Sequence, residues 1–363
     1  MIKSLTKNKT FQSVISSLIG VAIGLAAGLI ALIVIDPAEA FESMGAMLQN
    51  FFYFPRENVA IEYFGMTLIR MTPLAMCALS MIYAHKAGLF NIGASGQYAA
   101  GACVALLCAI KWRLPWWICL LSGAVSGGLV GALTGVLKAY RNVNEVISGI
   151  LLNWVILYAV NMVLEPLTNS ANLTWMLSVN APQALLPNLG LDAVFAGNSY
   201  VTVALPLTIL TVFLVWFILN KTALGYETRA AGFNLRAATL AGVRAKGNIV
   251  LTMFIAGCLS GLAAGFIYLC GVEQWSTSVS TVPTMGIDAI AAAFLGCMNP
   301  WGSLVSSYFI EHISMGSMHM NRMIYPSEIT SMITAIIIYA SAFSAIIAKA
   351  VFNFVNRKRE GGL

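Results

Sequence analysis

Residues 248–270 read NIVLTMFIAGCLSGLAAGFIYLC, a stretch without a single charged side chain. A helix needs about 20 mostly apolar residues to cross the hydrocarbon core of a bilayer, and this stretch is long enough. Its glycines Gly257, Gly261 and Gly265 recur at every fourth position and form one bare helix face. Bare faces let helices approach closely in lipid. The stretch therefore predicts a membrane-spanning helix that packs tightly against a neighbour.

The same apolar character extends through the whole chain. Of its 363 residues, 59% are hydrophobic and only 9% are charged, whereas soluble domains carry about 25% charged residues. This composition excludes a soluble enzyme, a disordered chain, a secreted disulfide scaffold and an outer-membrane barrel. The candidate crossings are residues 13–35, 62–84, 93–110, 116–137, 146–165, 200–219, 248–270, 286–298, 301–318 and 328–352.

These segments predict an all-α fold, a polytopic helical membrane protein with about 8–10 transmembrane helices. The segment 286–298 is too short for a full crossing. We expect it to be a broken half-helix that turns at Asn299 and Pro300, because proline cannot continue the helical hydrogen-bond ladder.

The positive charges predict the orientation of the chain. With the N-terminus inside, 15 Lys and Arg residues fall on the cytoplasmic side and 4 on the other, while Arg70 lies within a span. Both termini are then cytoplasmic. Residues 1–352 form a single transmembrane domain with a cytoplasmic segment at 220–247 and extracytoplasmic loops at 36–61 and 166–199. Residues 353–363 form a basic cytoplasmic tail.

Motifs for catalysis and metal binding are missing from the sequence. It contains no Walker A sequence, no GxSxG and no HExxH, its three histidines are isolated, and its seven cysteines lie in apolar stretches without a CxxC pair. The basic residues form short clusters between spans rather than a basic face, so nucleic acid is not an expected partner. We predict neither an enzyme nor a metal site in this chain.

Polar segments interrupt the apolar pattern in four places. Residues 86–97 (KAGLFNIGASGQ) break a helix, either to line a cavity or to form a short cytoplasmic turn. Asn153 and Trp154 place an amide beside an indole, which suits a flat polar ligand or simple packing. Asp288 near a helix start is either a dipole cap or a functional acid. Arg70 within a span is either half of an ion pair or functional.

The segment 220–247 is the longest hydrophilic stretch inside the chain. Its core, Glu227 to Gly242, has the pattern of a short amphipathic helix or a helix-turn-helix. Its alanines and arginines suit docking to another protein at the cytoplasmic surface, and a basic loop held against anionic lipid is the alternative.

Five ordered motifs resemble the permeases of bacterial ABC importers for branched-chain amino acids, simple sugars and nucleosides. Residues 88–93 (GLFNIG) with 95–97 (SGQ) are similar to that family's GLFNIGxxGQ. The other matches are 144–147 (NEVI) with 152–153 (LN), the RAxGxNxxAAxxAG pattern at 229–242, 261–265 (GLAAG), and 286–291 (GIDAIA) followed by 299–302 (NPWG). The chain departs from the pattern at Ser95, where an acidic residue is common.

The resemblance implies an importer in the bacterial cytoplasmic (inner) membrane. A second permease chain, identical or paralogous, a cytoplasmic ABC ATPase and an extracytoplasmic binding protein or lipoprotein are the implied partners, besides lipid and a small-molecule substrate. ATP and Mg²⁺ then belong to the partner ATPase, and this chain holds no cofactor. The motif GLFNIG resembles nucleoside permeases and favours a purine-type nucleoside as substrate, with riboflavin or a simple sugar as alternatives.

The resemblance also assigns residues. The substrate path is expected to include Phe90, Asn91, Ser95, Gln97, Asn153, Trp154 and Asp288. The segment that couples to the ATPase is expected to include Glu227, Arg229, Ala230, Gly232, Asn234, Arg236, Ala237, Ala238 and Gly242. Two other classes stay open. An ion-coupled secondary transporter would rely on intramembrane acids, and a membrane scaffold would only dock a partner through 220–247.

Overall fold

The computed structural model describes the backbone of residues 9–360, with side chains for residue 15 and residues 17–343. Within this range the regular structure is helical, without a β-strand. The helices are α1 Lys9–Ile35, α2 Ala40–Gln49, α3 Glu57–Lys86, α4 Ala94–Leu106, α5 Trp116–Arg141, α6 Glu145–Leu164, α7 Leu177–Asn180, α8 Leu191–Val194, α9 Ala204–Lys221, α10 Ala223–Phe233, α11 Leu235–Leu240, α12 Ala245–Tyr268, α13 Met285–Leu295, α14 Pro300–Gly316 and α15 Ser327–Glu360.

The predicted all-α polytopic membrane fold is confirmed. Among the described residues, seven helices are long and apolar enough to cross a membrane, and the bent pair α13–α14 makes eight. The described side chains of α15 form a further apolar stretch, Ser327–Phe343. The predicted cytoplasmic position of both termini stays a prediction.

The chain divides into two compact units, residues 68–290 and residues 1–67 with 291–363. In the first unit, glycines bring α4, α5 and α12 into backbone contact. A methyl group at Gly101 of α4 would lie 2.6 Å from Cα of Gly261, and one at Gly127 of α5 would lie 2.8 Å from the same atom. Such distances are shorter than any carbon contact. The glycine faces predicted from the sequence are therefore the surfaces on which these helices pack.

In the second unit, α1 packs against α15. Gly24 of α1 faces Ser341, and Gly28 faces Ile337. The same unit has a buried apolar core, to which α1, α2, α14, α15 and the loop before α15 contribute. Its residues are Leu32, Ala40, Met44, Met47, Ile313, Met320, Tyr325, Ile333 and Ile337. The N-terminal segment 36–61 thus contains an ordered helix, α2, whose buried residues belong to this core.

The predicted break at Asn299 and Pro300 is confirmed. The helices α13 and α14 meet at an angle of 119°. The side chain of Asn299 accepts hydrogen bonds from the backbone N–H groups of Trp301 and Gly302, and Pro300 occupies the first turn of α14. Cys297 and Met298 adopt positive φ values of 54° and 53°, so the turn is made without glycine at these two positions.

Substitution of Gly257 tests the contact between α5 and α12. A Cβ atom at Gly257 would collide with the carbonyl oxygen of Gly127, so Gly257→Ala should lower the free energy of unfolding by about 1–3 kcal/mol. Gly247 lies in the first turn of the same helix, where an added Cβ would make only an ordinary contact with Arg244, at 3.9 Å. Gly247→Ala should leave the stability unchanged or raise it by about 0.5–1 kcal/mol.

Thermal unfolding in detergent, followed by the loss of the monodisperse gel-filtration peak, measures both variants. Equal midpoints for Gly257→Ala and Gly247→Ala would contradict the packing described for this pair of helices.

Candidate functional site

Residues 87–93 connect α3 to α4 as an irregular segment, at the position of the GLFNIG motif. Gly88 has a φ of 73°, which a residue with a side chain rarely adopts. Its N–H bonds back to the carbonyl of His85, and the N–H of Leu89 bonds to that of Ala84. The chain then turns inward, and helix α4 begins at Ala94 in the protein interior.

Asn91 and Gln97 form a reciprocal amide pair inside the first unit. The Asn91 amide donates to Oε1 of Gln97 over 2.8 Å, and the Gln97 amide donates back to Oδ1 of Asn91 over 2.9 Å. Asn91 also donates to the Ser80 hydroxyl, which accepts a second bond from Ser260. All four side chains are buried. Because they satisfy one another, this network joins α3, α4 and α12 around the irregular segment.

Asn153 fastens helix α6 to the same segment. Its side-chain amide donates to the carbonyl of Ile92 over 3.0 Å, and its Oδ1 accepts from the N–H of Gly96 over 2.8 Å. The backbone N–H of Gly96 lies in the first turn of α4 and has no partner within its own helix. Asn153 therefore caps the broken helix from a neighbouring helix.

Ser95 connects α4 to the start of α13. Its hydroxyl donates to the carbonyl of Pro283 over 2.8 Å, and Gly286 packs directly on its backbone. Asp288 lies half-buried in the first turn of α13, at the helix end where a carboxylate is favoured. The structure thus brings the segments of Asn91, Ser95, Asn153 and Asp288 together around the first turn of α4.

Phe90 and Trp154 differ from these buried amides. Phe90 is half-buried. Trp154 is 43% exposed and stacks on Tyr158, with 6.3 Å between the ring centroids. Since Trp154 follows Asn153 directly on α6, its side chain leaves the helix about 100° away from the side that holds the irregular segment. The indole and the Asn153 amide therefore face different directions, and a ligand-binding role for Trp154 stays a prediction.

Arg70 has an acidic partner. Its guanidinium donates to the carboxylate of Glu273 over 3.0 Å. Of the two alternatives left open by the sequence, this geometry supports the ion pair. A group of three or more acidic, cysteine or histidine side chains that could hold a metal ion does not occur in the described part of the chain.

The segment 220–247 folds as the helix-turn-helix α10–α11. Thr222 caps α10 and Asn234 caps α11, each through its side-chain oxygen. The small residues Gly225, Thr228, Ala231 and Ala238 are buried. The exposed side of the segment carries the predicted coupling residues Glu227, Arg229, Asn234, Arg236, Ala237 and Gly242. Gly232 is also solvent-exposed but lies where α10 meets residues 86–88, and Ala230 is half-buried.

Large apolar side chains on this exposed side escaped the sequence analysis. Phe233 is 96% exposed, Leu240 is 91% exposed and Tyr226 is 66% exposed. A sequence pattern cannot identify them, because each would fit equally well on the buried side of a short helix. Large exposed apolar side chains in a segment that also exposes Arg229 and Arg236 are typical of a surface that a partner covers.

Backbone contact joins α10 to the irregular segment. At Gly232 a side chain would collide with the carbonyl oxygen of Lys86, and a Cβ at Gly88 would lie 3.2 Å from Cα of Gly232. The last turn of α10 therefore rests directly on the turn that leads into the buried amide network.

Residues 63–342 match the family model described as branched-chain amino acid transport system / permease component. The chain belongs to this permease family. It is 31% identical over 317 residues to the nucleoside ABC transporter permease protein NupB of Lactococcus lactis, covering 82% of this chain and 85% of the relative. It is also 31% identical over 290 residues to the guanosine ABC transporter permease protein NupP of Bacillus subtilis, covering 78% and 82%.

More distant relatives include the galactofuranose transporter permease protein YtfT of Escherichia coli, 25% identical over 288 residues, 75% of this chain and 76% of the relative. No solved structure matches the chain. The permease is thus a multi-pass protein of the cytoplasmic membrane, and its family consists of transport proteins. The resemblance recognised from the sequence is confirmed, whereas the roles of the individual residues stay predictions.

Substitution of the amide pair in the permease tests whether the pair is a structural unit. Gln97→Leu leaves the buried Asn91 amide without one partner and should cost about 1–3 kcal/mol of stability. The double variant Asn91→Leu/Gln97→Leu should cost less than the sum of the two single variants. Asn220→Ala, which removes an exposed amide from α9, should change stability by less than about 0.5 kcal/mol.

Chemical or thermal unfolding of the solubilised permease gives these values. Strictly additive losses at Asn91 and Gln97 would show that the two amides do not act together.

Proposed function

We propose that this permease forms the membrane path of an ATP-driven importer for nucleosides, with purine nucleosides as the substrate class. The observation that carries the proposal is its 31% identity, over about four fifths of both chains, to permeases named for nucleoside and guanosine transport. The sugar permeases among its relatives are less similar, at 25% for the galactofuranose permease and 28% for a glucose permease of Haloferax volcanii.

The exposed side of α10–α11 supports an ATPase as partner. A chain without a nucleotide-binding loop needs a companion that hydrolyses ATP, and Phe233, Leu240 and Tyr226 offer apolar anchors of the kind that dominate protein interfaces. The flanking Arg229 and Arg236 add charge that can fix the register of docking. ATP and Mg²⁺ then lie on the ATPase, α10–α11 lies in the cytoplasm, and both termini of the permease are cytoplasmic.

A second permease chain and an extracytoplasmic binding protein complete the proposed importer. Only 28% of the most apolar window of α6, and the same share of that of α9, is buried, and lipid or a second permease chain is the natural cover for such surfaces. The binding protein supplies affinity and specificity for the nucleoside. The path itself then needs only to accept and release the substrate.

Motion can pass from the ATPase to the membrane through the contact of Gly232 with residues 86–88. Both sides of this contact are backbone, so a displacement of α10 cannot be absorbed by a flexible side chain. It would be transmitted to the segment that holds Asn91. Coupling through this contact depends on packing alone and requires no ionisable residue within the membrane.

Uptake by the purified complex tests the function. The permease is affinity-tagged in its own host, isolated with its bound subunits and reconstituted into vesicles with its binding protein. We expect uptake of radiolabelled guanosine that requires internal ATP and persists when a protonophore collapses the ion gradients. Uptake that stops with the protonophore at constant ATP would instead identify an ion-coupled transporter, and uptake of sugars alone would overturn the substrate class.

The variant Phe233→Asp tests the docking surface. A carboxylate in place of the exposed ring should prevent burial at the partner, so the ATPase should no longer copurify and uptake should fall at least about tenfold. Val194→Asp is the matched control, since Val194 is 67% exposed in the loop 166–199. It should retain the ATPase. Normal copurification with Phe233→Asp would exclude this surface as the docking site.

A further inference from the structure

A cavity of about 660 Å³ lies at the end of α12, within the first unit. Its walls come from Leu106, residues 173–178, several residues of 182–188, Ser199, Tyr200, Tyr268 and residues 270–274. These segments are fastened to one another by backbone hydrogen bonds, from Leu186 to Leu269 and from Thr174 to Trp275. The volume falls within the range of about 300–1,000 Å³ that is usual for small-molecule sites.

The cavity and the segment α10–α11 lie at opposite ends of α12. Helix α12 begins at Ala245, directly after α11, and reaches Tyr268 in the cavity wall. Its 24 residues correspond to about 36 Å, the thickness of a bilayer core and part of its headgroups. If α10–α11 meets the ATPase, the cavity therefore opens on the side from which a binding protein delivers its cargo.

Gln274 lies in the wall of this cavity, and its side-chain nitrogen lacks a hydrogen-bond partner. This atom, Nε2, is buried and has no partner among the described residues. Buried polar groups in folded proteins usually bond to the protein, to a ligand or to water. Rotation of the amide toward the cavity would let Nε2 donate to a carbonyl or ring nitrogen of a nucleobase.

Glu273 adds an acceptor next to this donor. Its Oε1 accepts a hydrogen bond from the guanidinium of Arg70, which orients the carboxylate. A carboxylate has about four acceptor positions, so one ion pair leaves capacity for N–H groups of a base or hydroxyls of a ribose. Donor and acceptor on adjacent residues match the mixed hydrogen-bonding edge of a purine.

Aromatic rings line the same cavity. Trp175 is 42% exposed and Tyr200 is 40% exposed, while the third lining ring, Tyr268, is 7% exposed. Exposed aromatic faces stack well on a flat heterocycle. The loop 166–199 carries no lysine or arginine, and the carboxylate of Glu273 lies in the same wall. The arrangement suits an uncharged nucleoside rather than a phosphorylated one.

We propose that this cavity is the site at which the permease receives a nucleoside before it enters the membrane path, with Gln274 and Glu273 bonding its polar edge and the aromatic rings holding its flat face. The proposal rests on the nucleoside function proposed above. It adds a site outside the segment 88–97, at the opposite end of the molecule from the ATPase surface.

Two neighbouring substitutions on α7 separate the cavity from the surface around it. Ser178 lines the cavity and is exposed, so Ser178→Trp can fill the cavity without disturbing a core. Val179 is 75% exposed and lies outside the lining, so Val179→Trp adds the same bulk beside it. Gln274→Leu keeps the side-chain volume but removes the amide. The tagged complex is purified with its subunits for each variant, and recovery of the intact complex confirms folding.

The readouts are ATP-dependent guanosine uptake at saturating binding protein and photolabelling of the complex by 8-azidoguanosine. Ser178→Trp should lower both by about tenfold or more, Gln274→Leu should lower both by a smaller factor, and Val179→Trp should stay within about twofold of the unaltered complex. The label should lie in residues 173–188 or 268–274, and guanosine should displace it more effectively than guanosine monophosphate.

Each other result overturns the proposal. Equal losses in Ser178→Trp and Val179→Trp would assign the effect to docking of the binding protein, and unchanged uptake and labelling in Ser178→Trp and Gln274→Leu would exclude the cavity. In both cases the unaltered complex still imports guanosine, so the nucleoside function stands. If the unaltered complex imports no nucleoside at all, the function and the cavity fail together.

Discussion

The close backbone contact of α4, α5 and α12 is the constraint on which the unit of residues 68–290 depends. Lipid offers these helices no hydrophobic reason to associate, because acyl chains are as apolar as their side chains. Association must come from dispersion between closely fitted surfaces, and only glycine lets main chains approach as near as Gly101, Gly127 and Gly261 do. The tight triplet then fixes where α4 begins and therefore where the irregular segment 87–93 has to lie.

An irregular segment buried in a membrane protein has backbone N–H and C=O groups that need hydrogen-bond partners outside a helix. Backbone groups that no helix satisfies must find partners in the protein, since lipid supplies none. Asn153 provides two of these partners, and Ser95 satisfies the carbonyl of Pro283. The polar residues of the motif thus support the broken backbone, which explains why amides and hydroxyls occur in an otherwise apolar stretch.

Much of this organisation is readable from the sequence, because its causes are local. Length and composition predict the spans, Asn299 and Pro300 predict the break before α14, and the glycine spacing predicts the packing faces. The hydrogen-bond partners of the segment 88–97 could not be predicted in the same way. Asn91 pairs with Gln97 only because the chain reverses between them, and Asn153 arrives from another helix. Likewise Glu273 and Arg70 are separated by 203 positions, and the periodicity of apolar residues along the sequence cannot predict such a contact.

The mutual hydrogen bonds of Asn91 and Gln97 have a further consequence for the rigidity of the bundle. Each amide donates to the other and accepts from it, and Asn91 gives its second N–H to Ser80. Moving α4 away from Asn91 would leave buried amide groups without partners, at a cost of about 1–3 kcal/mol for each group. The polar network therefore opposes such a displacement more strongly than apolar contacts alone would.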